Sequence, residues 1–344
     1  MADIVSEVRR AAIAPRTAWT TTLARRPVLT LAVVLALSII VVPEKTLATQ
    51  VLVFGLFAMS FNILLGYAGL LSFGHSTYFG LGAYGTALVL KWWHPHVLVA
   101  ILAGVLLATV TSVAIGWFCL RRRQVYFSML TLAFNQLVFF IFFQARPLTG
   151  GDDGLRGIPV PTFDIPFVAS IPLGGIANPY TFYYFVLILV VGCLVAIARL
   201  VDSPFGRGLQ AIRESEERAR ACGYSTNRIL LLAFVFAGAF AGVAGSLYAL
   251  FFGFIALETL NWTTAGVAVM MAILGGVGSF VGPFIGASIF LILQEYVSKY
   301  TDSWQLYTGA VFVACVLFFP QGVWGMLKWL VQSKQWDRFS GPRS

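Results

Sequence analysis

The densest cluster of ionisable groups lies in DSPFGRGLQAIRESEERARACGYSTNRI, residues 202–229. Arg213, Glu214, Glu216, Glu217, Arg218 and Arg220 alternate in sign there, and at helical spacing they form i,i+4 pairs such as Glu214 with Arg218 and Glu216 with Arg220. A charged helix of this kind is suited to contact with another protein, or else is a solvated linker. Elsewhere, residues suited to chemistry are sparse. Within the spans no His, Asp, Glu, Ser and Lys arrangement suggests a nucleophile with its base. His94 and His96 in WWHPHV are metal-binding types without a third ligand nearby, and the adjoining Trp92 and Trp93 fit an interfacial anchor better. Cys119, Cys193, Cys222 and Cys315 are far apart, show no CxxC spacing and read as small packing residues. No G-x-x-x-x-G-K-[ST] occurs, so the chain has no P-loop to cradle nucleotide phosphates. Neither a catalytic residue, nor a metal, nor a cofactor is expected.

The elements that carry these residues are apolar blocks. Hydrophobic residues make up 59% of the 344 positions and charged residues 11%, and the blocks are continuous, as in a helical membrane protein. Spans are expected near 28–42, 49–66, 75–91, 97–120, 125–143, 180–201, 229–250, 262–275, 281–298 and 304–320. The fold expected is therefore an all-α, polytopic transmembrane bundle of about ten spans, within a range of eight to ten. The first block follows a 26-residue polar leader ending in Arg25 and Arg26. That leader is long for a signal peptide with cleavage near Ala48, so the block is read as a retained span. With the N-terminus inside, 18 of the 23 Lys and Arg residues fall on the cytoplasmic side, the asymmetry expected of inner loops. The formal charge of +9 is thereby accounted for without nucleic acid.

An ionisable group within a span is a functional candidate because its burial is costly. Glu295 falls at the end of its span and reads as solvated, and His75 is the main titratable group left in the spans. That weighs against a proton-coupled carrier, although sodium sites built from carbonyls stay open. Two stretches are rich in glycine, GYAGLLSFGHSTYFGLGAYG from Gly66 and GGVGSFVGPFIG from Gly275. Both contain a Ser-Phe pair, Ser72-Phe73 and Ser279-Phe280, which hints at an internal duplication of about five spans with glycine-broken helices. Two readings remain for such glycines, a broken helix facing a polar path or close helix packing, as in the ladders Gly278–Gly282–Gly286 and Gly238–Gly242. Ser72 and His75 favour a path more than packing alone does. In the hydrophilic segment, Ser203-Pro204 breaks the preceding helix, residues 210–222 predict one short surface helix, and Gly223 stands where it would stop.

At this segment, and at GYAGLLSFGHSTYFGLGAYG, the sequence resembles the permeases of branched-chain amino-acid ABC importers, of LivM type. The likeness runs from the first span to FFPQGVWG at 318–325 and includes LTGGDDGLRGIP at 148–159. It implies a cytoplasmic helix that docks on an ATPase with the pattern E-A-A-x-x-x-G. Glu217, Ala219 and Gly223 fit that spacing, Arg218 replaces the first alanine, and Arg213 and Glu214 flank it. It implies a path lined by Ser72, Gly74 and His75 through the lipid bilayer. The partners implied are a LivH-type second permease, two cytoplasmic ATPases and a periplasmic binding protein. Also implied are import of leucine, isoleucine and valine and a multi-pass place in a bacterial inner membrane with both termini cytoplasmic. The organisation expected is a cytoplasmic segment 1–26, a permease domain 27–325 with a coupling loop 202–228 and a periplasmic loop 144–179, and a cytoplasmic tail 326–344. A urea or short-amide ABC permease shares these features, and a stand-alone ion-coupled carrier is a further alternative.

Overall fold

The computed structural model describes residues 45–93, 96–123, 125–159, 162–165, 169–172, 179–301, 303–318 and 322–326. The expected first span, the leader, His94 and the tail beyond residue 326 lie outside the described residues. Polar or glycine-rich punctuation divides the chain into helices α1 Lys45–Asn62, α2 His75–Trp93, α3 Val97–Cys119, α4 Val125–Gln144, α5 Pro179–Asp202, α6 Pro204–Glu214, α7 Glu216–Ala221, α8 Thr226–Phe252, α9 Trp262–Gly275, α10 Gly282–Ser298 and α11 Trp304–Phe318. Helix α1 runs on through a π-helical turn, Ile63–Ala68, and stops at Gly69 with φ 72°. The long loop before α5 contributes a short antiparallel hairpin, Thr162–Ile165 with Ala169–Pro172, an addition to the helical fold expected.

Among the described residues, six helical segments are long and apolar enough to cross a membrane: Thr46–Ala68, Val97–Cys119, Val125–Gln144, Pro179–Asp202, Thr226–Phe252 and Gln305–Met326. Helix α2 has 19 residues but carries the polar and glycine-rich run HSTYFGLGAYGT, and α9 and α10 are shorter apolar helices. At 14 residues α9 is about 21 Å long, less than the roughly 30 Å of hydrocarbon it would need to cross.

Helices α1, α2 and α8 form the centre, with Leu52, Leu56, Phe57, Phe79, Tyr84, Phe234 and Leu247 buried among them. Small residues set their spacing. A methyl group on Gly82 would fall 2.7 Å from Gly242 Cα, one on Gly85 2.8 Å from Gly104 Cα, and one on Gly242 2.7 Å from Ala108 Cβ. The Gly238–Gly242 ladder is thus a packing seam between α8 and α3, where lipid supplies no hydrophobic drive and close backbone approach supplies the contact. Gly282 and Gly286 pack α10 against α9 in the same way, and a methyl on Gly286 would fall 2.7 Å from Gly275 N. Gly278 departs from the ladder: its φ of 80° makes it a turn residue between the two helices.

Helix α3 buries its small side and leaves its large side exposed. On α3, Ala100, Gly104, Ala108 and Ser112 are buried, whereas Leu98, Leu102, Leu106, Val110, Val113 and Trp117 are exposed. At Gly245 of α8 the Phe79 carbonyl occupies the place a side chain would take. Gly245→Val is therefore expected to destabilise the bundle by about 2–3 kcal/mol, read as a lowered thermal midpoint in detergent. Gly192→Val, with open space around it, should leave the midpoint unchanged.

Candidate functional site

The charged segment folds as two helices instead of the one expected over 210–222. Ser203 caps α6, its hydroxyl accepting from Gly206 N at 3.4 Å, with Pro204 in the first turn. The inward face of α6 buries Gly206, Gly208, Leu209 and Ile212. At Ser215 the backbone turns extended (φ −163°, ψ 108°), and its hydroxyl accepts from Arg218 N at 3.3 Å to cap α7. A serine followed by Glu216 and Glu217 is a strong helix start, since the hydroxyl satisfies a free N–H and the carboxylates face the positive helix end. Lack of Gly and Pro was therefore not enough to make one helix. Glu214 and Arg218 fall on different helices as a result, while Glu216 and Arg220 pair at 3.0 Å. Gly223 closes α7 as expected: with φ 87°, its N–H reaches Arg220 O at 3.0 Å, and Tyr224 N reaches Ala219 O at 3.1 Å.

Glu216 is the hub of this segment. Its carboxylate accepts from Arg123 Nε at 3.0 and 3.2 Å, from Arg123 Nη2 at 3.0 Å, from Arg220 at 3.0 Å and from the Thr226 hydroxyl at 3.2 Å. Arg123, just beyond α3, also donates to Leu120 O at 2.6 Å and to Asn227 Oδ1. The fork thus ties α7 to the ends of α3 and α8. Partial burial opposes ionisation of Glu216, but Arg123, by hydrogen bond and charge, together with Thr226 and Arg220, outweighs it and holds the carboxyl below its ordinary range. The sequence pattern showed the Arg220 pair; the Arg123 partner, 93 residues away, left no local signal.

Of the residues singled out for coupling, Glu214 and Glu217 point outward and are exposed, Gly223 is exposed, and Ala219 is turned inward at 4% exposure. Arg213 is exposed too, but its side chain bends back to the bundle. Its guanidinium donates to Gly66 O, and its stem lies against Gly69. There the two glycine-rich stretches meet: a methyl on Gly66 would fall 2.7 Å from Gly278 N. Asn62 clamps the contact, accepting from Gly278 N and donating to Ser279 O, both at 2.9 Å. Gly322 closes the other side against Gly276.

Ser72, Gly74 and His75 lie at the end of this break and the start of α2. Ser72 is buried with its hydroxyl unpartnered. Gly74 admits the Thr131 backbone, which would be 3.0 Å from an added methyl at its carbonyl carbon. His75 is fully buried within the chain, stacked on Phe57 and edge-on to Phe61 and Tyr78. The Ser60 hydroxyl donates to Phe57 O at 2.7 Å, so it accepts from His75 Nε2–H at 2.8 Å, which fixes that tautomer and leaves Nδ1 without a partner. A further polar cluster went unread in the sequence. Asn135 of α4 donates to Thr77 Oγ1 at 2.8 Å, Leu260 O at 2.9 Å and Ser76 Oγ at 3.0 Å, and its Oδ1 has no partner. Leu260 ends the irregular run from Gly253, which bonds to the outer loop through Leu155 and Ile255. A lone asparagine in an apolar block was its only signal.

Because it is held below its ordinary range, Glu216 contributes stability that is complete above the free glutamate pKa of about 4.3 and is lost as pH falls through the lowered value. Glu216→Gln is expected to cost about 1 kcal/mol at neutral pH, since a quarter of the side chain remains in water. The thermal-midpoint difference between the two proteins should stay flat down to about pH 5 and shrink below it.

The chain matches the family described as the branched-chain amino acid transport system permease component over residues 45–320. It is 29% identical over 297 residues to the high-affinity branched-chain amino acid transport system permease protein LivM of Salmonella typhimurium, spanning 82% of this chain and 70% of that one. The same values hold for LivM of Escherichia coli K12. LivH of Salmonella typhimurium is 25% identical over 288 residues, 79% of this chain and 91% of that one. No solved structure matches the chain. With four-fifths of its length inside the matched region, a helical bundle of membrane-spanning length and an outward-facing charged helix pair, this chain belongs to the branched-chain amino acid transport permease family.

Proposed function

We propose that this chain is the membrane-spanning permease subunit of an ATP-driven importer of leucine, isoleucine and valine. The observation that carries the reading is the family match over residues 45–320. In this reading the subunit pairs with a LivH-type permease and works with two cytoplasmic ATPases and a periplasmic binding protein. It sits in the inner membrane with about ten spans, a duplicated glycine-broken arrangement and both termini inside. Residues 27–325 are the permease domain, flanked by the cytoplasmic segments 1–26 and 326–344. The charge asymmetry of the loops supports this orientation.

Helices α6 and α7 are the coupling element. Glu214, Glu217 and Gly223 lie on their free side, available to an ATPase groove, while Ala219 shapes the helix from behind. Glu216 with Arg123, and Arg213 with Gly66, fasten the pair to the bundle at two points, so closure of an ATPase dimer would move it as a rigid body. A solute handed over by a binding protein needs no tight pocket here, and a mostly apolar path past Ser72, Gly74 and His75 suits aliphatic side chains.

Uptake of labelled leucine by cells lacking the chain should return when it is restored and vanish when the partner ATPases are deleted. Uptake that survives their loss would mean an ion-coupled carrier, and restored urea uptake alone would mean a different solute. Glu217→Lys should leave the protein in the membrane and abolish transport; normal uptake by that variant overturns the coupling role of α7.

A further inference from the structure

The two glycine turns, more than 200 residues apart, touch at one place on the side of the bundle where α6 lies. We propose that this contact of Gly66 with Gly278 is the inner gate of the path, and that Arg213 is the positioning residue by which α6 holds it closed. The inference rests on the transport reading above and adds to it the moving part and its latch.

The chemistry of the contact is that of a joint. Backbone meets backbone: Gly66 carries no side chain that would stand between the turns, and Gly278 has the positive φ that lets its N–H face Asn62. Asn62 spends both ends of its amide on the opposite turn, its oxygen on Gly278 N and its nitrogen on Ser279 O. The Arg213 guanidinium donates to Gly66 O and also lies beside Gly278, at 3.2 Å from the position of an added methyl there. Separating the turns therefore breaks the two hydrogen bonds of Asn62 and draws Gly278 away from the Arg213 guanidinium.

Arg213 also answers how α6 could act on it. Leu209 and Ile212 anchor the inner face of α6, so Arg213, on the next residue, moves with the helix and carries Gly66 and Gly69 with it. The hydroxyl of Ser72, buried without a partner within the same break, would gain water or solute when the turns part. A buried donor left unpaired is costly, and an opening that satisfies it gives that cost a use.

The test reads the gate without reading transport. The full complex is prepared in inside-out membrane vesicles from a chain with Cys119, Cys193, Cys222 and Cys315 replaced by alanine and Ala68→Cys added, Ala68 being 5% exposed in the Gly66–Gly69 turn. A membrane-impermeant maleimide is the probe. With Arg213 present the thiol should be protected. Arg213→Ala should speed its labelling about tenfold, as loss of one charge-assisted hydrogen bond from the closed state predicts, and Arg213→Lys, which keeps a donor, should recover most of the protection. A second reporter, Ala244→Cys deep in α8, should stay protected in every variant. Equal labelling of Ala68→Cys with and without Arg213 would sink the gate, and so would labelling of both reporters, which would show a merely structural role. Should Arg213→Ala fail to accumulate, Asn62→Ala is read with the same expectations. Transport of a different solute would leave this result standing, so the gate and the substrate fail separately.

Discussion

Within hydrocarbon no water is at hand for a backbone N–H or C=O, so each place where a helix stops there must be satisfied by the protein itself. Among the described residues, helices give way to glycine-bearing breaks after Ala68, after Gly275, and along Gly253–Asn261. Each break has its own side chain to meet the freed groups. Ser128 donates to Leu71 O at 2.7 Å and Arg213 to Gly66 O. Asn62 takes Gly278 N and Ser279 O. Asn135 takes Leu260 O, and the Asn261 side chain caps the start of α9 by accepting from Thr263 N at 3.3 Å. Among the buried polar residues, Asn62, Ser76 and Asn135 meet backbone groups at these breaks.

That constraint also explains the division between core and lipid face. With tails as apolar as leucine on the outside, hydrophobicity alone does not decide which face turns inward, and where backbones approach most closely the helices place glycine, alanine and serine. On α3 this produces an inner line of small residues and an outer line of Leu, Val and Trp, the reverse of a soluble helix. The tight seam of α2, α3 and α8 then acts as a fixed frame against which the broken helices α1, α9 and α10 are set.

Legibility in the sequence follows the same lines. Block boundaries were easy to read: 262–275 was expected and Trp262–Gly275 is observed, and 97–120 became Val97–Cys119. Which face of each block turns inward was not readable from hydropathy, because both faces of such a helix are apolar. The stop at Gly223 was legible since a positive φ there favours glycine, whereas Ser215 passed unnoticed among charged neighbours despite being a good cap. Attention to charges alone left Asn62 and Asn135 unread. In an apolar block a neutral amide is the cheaper way to satisfy a broken backbone, having donor and acceptor and no charge to desolvate.

The arrangement of the breaks bears on how force from outside the membrane would travel. An unbroken helix transmits displacement along its whole length, but one interrupted at Gly69 or Gly276 lets its inner end move while the outer end stays seated. Here the C-terminal ends of α1 and α9 are joined to each other through Asn62 and, for α1, to α6 through Arg213. The run that leads into α9 is held separately, by the bridge of Leu155 to Ile255. Two attachments at different depths, separated by a glycine, form a hinge whose position follows from where the backbone is stitched. In the transport reading proposed above, α6 is joined to the end of α1 through Arg213 and α7 to the ends of α3 and α8 through Glu216, so a displacement of the pair would reach those ends of the helices first.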